Sequence, residues 1–445
     1  MPIKETKLKQ LKRIWILVMK QKTLIGSSRQ RLSIGSTSDQ LLNPNWDELF
    51  SDDFVEQEDL IRSCTNEEIL EALKSLGKDK APGPDGLTAK FYLKFWDIIE
   101  DNMRLVLSDF CEERCDLARA NKSFIIPIPK VEGANKMGEF RPISLTTSIV
   151  KIFSKLLASK LKSLLEIMIE DTQCAFLPGR STLDSFMAAS ETIHFCKKNK
   201  LDTIMLKLDL SNAFDSVDWD FLLKLLRHRG FPEKWVGWIS ILLKMGESSV
   251  LLNGEQGKWI KHKKGLRQGD PLSPYLFLLI ADVFARMLKR AARMHLIKGV
   301  SMGGEFNISN LQFADDFVVF TKGDRDDLIN LKILLYGYEV MTGLKANISK
   351  TEALHVLGND DKSAKAAGIL GPKEYGGLGI INLEKHNLAR LGKWWWALAT
   401  DKKMVWVEIV KMNYFQRRKW YDDNNANNWS RDSILKGKDM FALGS

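Results

Sequence analysis

Cysteine is scarce in this chain of 445 residues: there are five, Cys64, Cys111, Cys115, Cys174 and Cys196, an odd and scattered set. Such a set is no disulfide framework. Cys111 and Cys115 sit one helical turn apart, but no neighbouring His or Cys completes a zinc site. Reduced core thiols and an intracellular compartment, nuclear or cytoplasmic, are therefore expected. No apolar run approaches the ~18 residues of a membrane span, so no membrane partner is expected. The short apolar stretch 14–19 lacks a cleavage site and is not read as a signal peptide. Internal repeats and long low-complexity segments are missing too.

What is present is ordinary in bulk and uneven in detail. Hydrophobic residues make up 44% and charged residues 27%, as in a globular protein. The length allows a large core in two or three domains. Sixty-six Lys and Arg against 56 Asp and Glu leave a net charge of +10, which leans towards a polyanionic partner. Residues 1–31 hold nine Lys or Arg and one acid, Glu5, whereas residues 47–71 are strongly acidic.

Patterning divides the chain. Residues 66–75 open a helix that the glycines and prolines of GKDKAPGPDG (77–86) stop, and a helix follows through FYLKFWDIIEDNMRLVLSDF (91–110). SFIIPIPK (123–130) is expected as an edge strand, because its prolines cannot donate to a ladder. Residues 149–168 place Ile149, Ile152, Phe153, Leu156, Leu157, Leu161 and Leu164 on one helical face. Lys151, Lys155 and Lys162 share another face, either a solvated surface or a cationic wall along a nucleic-acid groove. In TIMLKLDLSNAFDSVDW (203–219), Ile204, Leu206, Leu208 and Leu210 alternate with Met205, Lys207 and Asp209, a strand with one polar-ended face. GLRQGDPLSP (265–274) is a glycine- and proline-rich loop before a long apolar helix.

The stretch LQFADDFVVF (311–320) sets two adjacent aspartates, Asp315 and Asp316, inside an apolar run. Side-by-side carboxylates repel each other and resist desolvation. An acidic turn facing water is one resolution and a cation site is the other. If the strand ending at Asp209 adjoins the Asp315–Asp316 hairpin, three hard oxygen donors converge, a set that suits Mg²⁺, with Mn²⁺ as a substitute. Two such ions ~3.5–4 Å apart serve in-line phosphoryl displacement.

The ordered set GKDKAPGPDGLTAKFY, FRPISLTTSIVKIFSKLLASKLK, QCAFLPGRSTLDS, LKLDLSNAFDSVDW, GLRQGDPLSPYLF, LQFADDFVVF and GLKANISKTE resembles a non-LTR (LINE-type) retrotransposon reverse transcriptase of the plant kind, over residues 60–355. The resemblance implies an α+β right-hand polymerase that copies an RNA template from a DNA primer with dNTPs. It implies a lead-in over 1–59, fingers over 60–200 and a palm over 201–356 with its antiparallel sheet packed on helices. Asp209, Asp315 and Asp316 would bind two Mg²⁺ ions, with the carbonyl of Leu210 as a further ligand. Arg141 would hold the triphosphate, and Phe214 would exclude a ribose 2′ hydroxyl. Gln268 and Gly269 would pack on the nascent base pair, and Lys350 would assist the leaving pyrophosphate. Lys80, Lys151, Lys155, Arg180 and Arg267 are expected nucleic-acid contacts.

Two departures from the family pattern stand out. About sixty residues precede the first motif, too few for the endonuclease domain that LINE proteins carry. After TEALHVLG the chain runs into NDDKSAKAAGILGPKEYGGLGIINL, as though a thumb segment were deleted at a junction over 357–375. Residues 376–445 would then be a helical post-thumb remnant, and a nucleic-acid-binding relic or a maturase-like splicing factor become alternative readings.

Overall fold

A computed structural model describes residues 46–50, 58–112, 114, 119–303, 306–322, 325–347, 351–357 and 404–414. The described residues form two compact units that alternate along the sequence: one takes those within 1–169, 210–287 and 331–347, the other those within 170–209, 288–330 and 348–445.

In the first unit the helix Asn66–Ser75 starts where the sequence predicts, at a capping box. Thr65 Oγ1 accepts from the Glu68 N–H at 3.3 Å and the Glu68 carboxylate accepts from the Thr65 N–H at 3.0 Å, which satisfies two otherwise orphaned donors. This helix packs on the helix Ser148–Met168. The buried stripe of the latter differs from its sequence pattern: Val150, Ala158 and Leu165 are buried alongside Ile152, Phe153, Leu156, Leu157 and Leu161, while Ile149 and Leu164 are only half-buried. The long helix expected over 91–110 is two, Ala89–Lys94 and Trp96–Cys111, broken at Phe95, whose φ of −107° and ψ of 16° leave the helical region.

The sheet of this unit runs in the order Phe140–Thr146, Lys122–Pro129, Glu247–Leu252, Glu255–Gln256, with Ile260–Lys261 also on Glu247–Leu252. Lys122–Pro129 is thus not an edge strand as expected. Its parallel partner covers only Lys122–Ile125, so Pro127 and Pro129 lie beyond it and owe no donor on that side. On the other side Pro127 faces Pro142, so two residues without an N–H oppose each other.

In the second unit an antiparallel sheet runs Asn310–Phe313, Asp316–Thr321, Ile204–Leu208, Glu352–His355. The helices Thr182–Lys198 and Val405–Tyr414 pack together, and both contact the strand Val300–Gly303. Met187, Val300, Phe320, Trp406, Val407 and Ile409 share its core. Met205 is as buried as Leu208, so the central strand is covered on both faces rather than on one.

Candidate active site

The strand Ile204–Leu208 pairs with Asp316–Thr321, Phe317 lying opposite Leu208. Continuing this register by one step sets Asp316 level with Asp209, the residue that follows the strand. The sheet adjacency that the sequence required is therefore present. Asp315 occupies the two-residue turn Ala314–Asp315 that joins Asn310–Phe313 to Asp316–Thr321, where Phe313 pairs with Asp316. Asp209 and Asp315 are half-buried and Asp316 is exposed. Burial pushes the Asp315 carboxyl above its ordinary range, and the charges of Asp316 and Asp209 push it further; its own backbone N–H opposes them.

These carboxylates supply only hard oxygen donors, and their mutual repulsion is what a divalent cation relieves. The donor set fits such an ion. Among the described residues no group of three or more His, Cys, Asp or Glu side chains closes into a metal cluster.

The remaining sequence-based candidates lie mostly in the other unit, gathered around the loop 265–269. The Gly265 N–H donates to the Val217 carbonyl at 2.8 Å and the Leu266 N–H to the Phe214 carbonyl at 2.7 Å, while Trp219 Nε1–H reaches the Gly265 carbonyl at 2.7 Å. The loop is thereby stitched to the segment 214–219. It is also docked on the strand Phe140–Thr146, because the Ser144 N–H donates to the Gln268 carbonyl at 2.7 Å. Gly269, at φ +102°, presses on that strand so closely that a Cβ there would lie 3.0 Å from the Ser144 oxygen.

Gln268 Nε2 reaches the Asp215 carboxylate at 3.4 Å. Phe214 stacks on Phe277, with centroids 4.8 Å apart and planes at 15°. Arg141 is exposed on the same strand as Ser144. One loop thus links the elements that carry Arg141, Phe214, Gln268 and Gly269. Leu210 is buried in the short strand Leu210–Ser211, paired with Lys345–Ala346.

Arg267 points inward. Its Nη1–H donates to Asn121 Oδ1 at 2.6 Å, and its pKa is lowered by burial with Asp270 opposing. Asn121 is fully buried and returns a bond to the Leu242 carbonyl at 2.9 Å. Lys151 is also drawn inward: burial lowers its pKa against the charges of Asp85 and Asp270. Lys155 lines a cleft of about 520 Å³ with Arg62, Glu68, Lys160 and Lys162. Lys80 is exposed, and Lys350 lies outside the described residues, as does the junction expected over 357–375 apart from Leu357. Arg180, in the second unit, bonds backbone carbonyls. Sequence reasoning missed Asn121 and Gln173; the glutamine of QCAFLPGR was the available signal for the second.

Residues 128–392, more than half the chain, match the family described as reverse transcriptase (RNA-dependent DNA polymerase), and the chain belongs to that family. It is 27% identical over 354 residues to the transposon TX1 uncharacterized 149 kDa protein of Xenopus laevis, covering 76% of this chain and 27% of that protein. It is 28% identical over 300 residues to the retrovirus-related Pol polyprotein of the type-2 retrotransposable element R2DM of Drosophila melanogaster, covering 66% of this chain and 27% of that protein. The Pol polyprotein of the type-1 element R2 of Nasonia vitripennis is 27% identical over 298 residues. The chain spans about a quarter of the length of these curated relatives. No helix among the described residues is long and apolar enough to cross a membrane.

Proposed function

We propose that this chain is the polymerase part of a LINE-type retrotransposon protein, an RNA-directed DNA polymerase that extends a DNA primer on an RNA template with dNTPs. The observation that carries the reading is the register of Phe317 on Leu208, which leaves Asp209, Asp315 and Asp316 at one end of one sheet. Family membership and the names of the relatives point the same way. Mg²⁺ ions held by these carboxylates would polarise phosphoryl oxygens, and Mn²⁺ would substitute.

The chain's own work is positioning and charge. Arg141, exposed and planar, suits a triphosphate. Phe214 presents an aromatic wall to the sugar, and the Gln268–Gly269 backbone offers a flat shelf for a base pair. A catalytically silent RNA-binding relic is the competing reading, favoured by the +10 charge alone.

Primer extension on an RNA template with dNTPs and Mg²⁺ separates the two. Asp315→Asn with Asp316→Asn is expected to lower the rate by at least ~100-fold while RNA binding persists. Equal extension by both proteins, or none by either, would sink the polymerase reading.

A further inference from the structure

The motif QCAFLPGR contributes Arg180 to the sequence-based site, yet its guanidinium is committed within its own unit. Nη1 donates to the carbonyls of Glu170 at 2.7 Å and Gln173 at 2.9 Å, and Nη2 reaches Asp171 at 3.3 Å. Only 14% of the side chain is exposed. The segment it clamps lies along the strand Asn310–Phe313. There the Gln312 N–H donates to the Thr172 carbonyl at 2.9 Å and the Cys174 N–H to the Gln312 carbonyl at 3.1 Å.

The Gln173 side chain, fully buried, continues from this clamp. Its Oε1 accepts from the Ala175 N–H at 2.8 Å and from the Ala314 N–H at 3.0 Å. From the other side Gln312 Nε2 donates to the Ala314 carbonyl at 3.2 Å. Both backbone groups of Ala314 are therefore held by side-chain amides. Ala314 needs holding, because its φ of +54° is a left-handed conformation that a residue with a Cβ rarely adopts. The next two residues are Asp315 and Asp316.

Buried amides are costly when half-used. Gln173 Nε2 and Gln312 Oε1 have no hydrogen-bond partner among the described residues. A buried glutamine pair that served packing alone would be better replaced by apolar side chains. A pair that must supply one acceptor and one donor to a strained turn would not.

We propose that Gln173, clamped by Arg180 and paired with Gln312, is a positioning residue that holds Ala314 left-handed and so fixes the direction of the Asp315 and Asp316 carboxylates. The bracket itself rests on geometry; its effect on turnover rests on the polymerase reading above. Without it Ala314 relaxes towards negative φ, which swings the peptide plane that leads into Asp315. A glycine at 314 needs no such bracket.

The test uses the whole chain and the variants Gln173→Met, Ala314→Gly and their combination. In Gln173→Met the Ala314 amide should exchange with solvent at least tenfold faster, kcat for extension should fall at least tenfold with the KM for dNTP unchanged, and Mn²⁺ titrated alone should bind more weakly. Ala314→Gly should restore much of the lost kcat in the combined variant, a rescue that a purely structural role does not provide. Unchanged exchange at Ala314 overturns the bracket. Faster exchange with kcat and Mn²⁺ binding intact overturns its positioning role. A wild-type chain without extension, but with the exchange difference present, counts against the polymerase reading and leaves the bracket standing.

Discussion

Phe214, proposed above as the wall that selects the sugar, also serves packing. Its ring stacks on Phe277, which is fully buried, so it is also part of the packing beneath the loop 265–269. Phe214→Ala should raise ribonucleotide incorporation relative to deoxynucleotide incorporation by ~10-fold or more, since the steric wall disappears. Single-nucleotide extension with each nucleotide pair measures it, and an unchanged ratio would remove Phe214 from the sugar-selecting role. His262 shows a different kind of residue effect. Burial first, and the Arg267 charge second, push its pKa from 6.5 down to about 4, while its Nε2 shares a 2.6 Å hydrogen bond with Ser248 Oγ. The unfolded chain takes up this proton near 6.5 and the folded protein only near 4, so protonation favours unfolding. The contribution is complete above pH ~6.5 and is lost as the pH falls towards 4. Melting temperatures across that range should fall more steeply in the wild type than in His262→Gln; parallel slopes would show that His262 plays no part.

At the scale of elements, the ends of helices matter more than their middles. The helix Ser148–Met168 ends on a carbonyl, Met168, that accepts from both Arg229 Nη2 and Arg286 Nη2. Asp282, fully buried, pairs with Arg229 at 3.2 Å and Arg286 at 2.7 Å. The Phe50 ring lies 4.7 Å from one guanidinium and 4.9 Å from the other, which fastens the short helix Trp46–Leu49 to the same cluster. The C-terminal end of a helix is where cations are stabilised, so the surplus positive charge has a physical home. Asp282→Ala leaves the buried Arg229 guanidinium and the part-buried Arg286 guanidinium without their carboxylate and should cost about 3–5 kcal/mol. Urea denaturation measures it; a loss under 1 kcal/mol would mean that water or Met168 alone suffices.

On the scale of the whole molecule, distant segments close the cores. The helix Val405–Tyr414 lies some two hundred residues from the helix Thr182–Lys198 in sequence, yet the two pack face to face within one unit. Trp406, Val407 and Ile409 are each at most 1% exposed there. Trp406→Ala should destabilise this unit by ~3–5 kcal/mol, the cost of a cavity that a tightly packed core cannot collapse around. Denaturant unfolding followed by limited proteolysis of residues 170–209 reports it; wild-type resistance would show that the helix is peripheral. The described part of the expected C-terminal remnant is thus integral to the core of the unit that carries Asp209, Asp315 and Asp316.

Local rules in the sequence determined much of this protein. The capping box at Thr65, the helix over 148–168 and the alternation around Asp209 are properties of side chains a few residues apart, and the ordered motifs named the family. The isolated Asp315–Asp316 doublet raised the question of a cation by its electrostatics alone. Tertiary structure decided what neighbours across hundreds of residues supply. It set Lys122–Pro129 between two strands while stopping the pairing to one of them at Ile125, before Pro127, and it turned Arg180 and Arg267 inward, because buried carbonyls and Asn121 needed donors more than the surface needed charge. It also set Gln173 against Ala314, a pairing 141 residues apart whose purpose no window of sequence contains. Periodicity reads the free energy of a chain against water; which buried polar group answers which other is settled only when the strands have met.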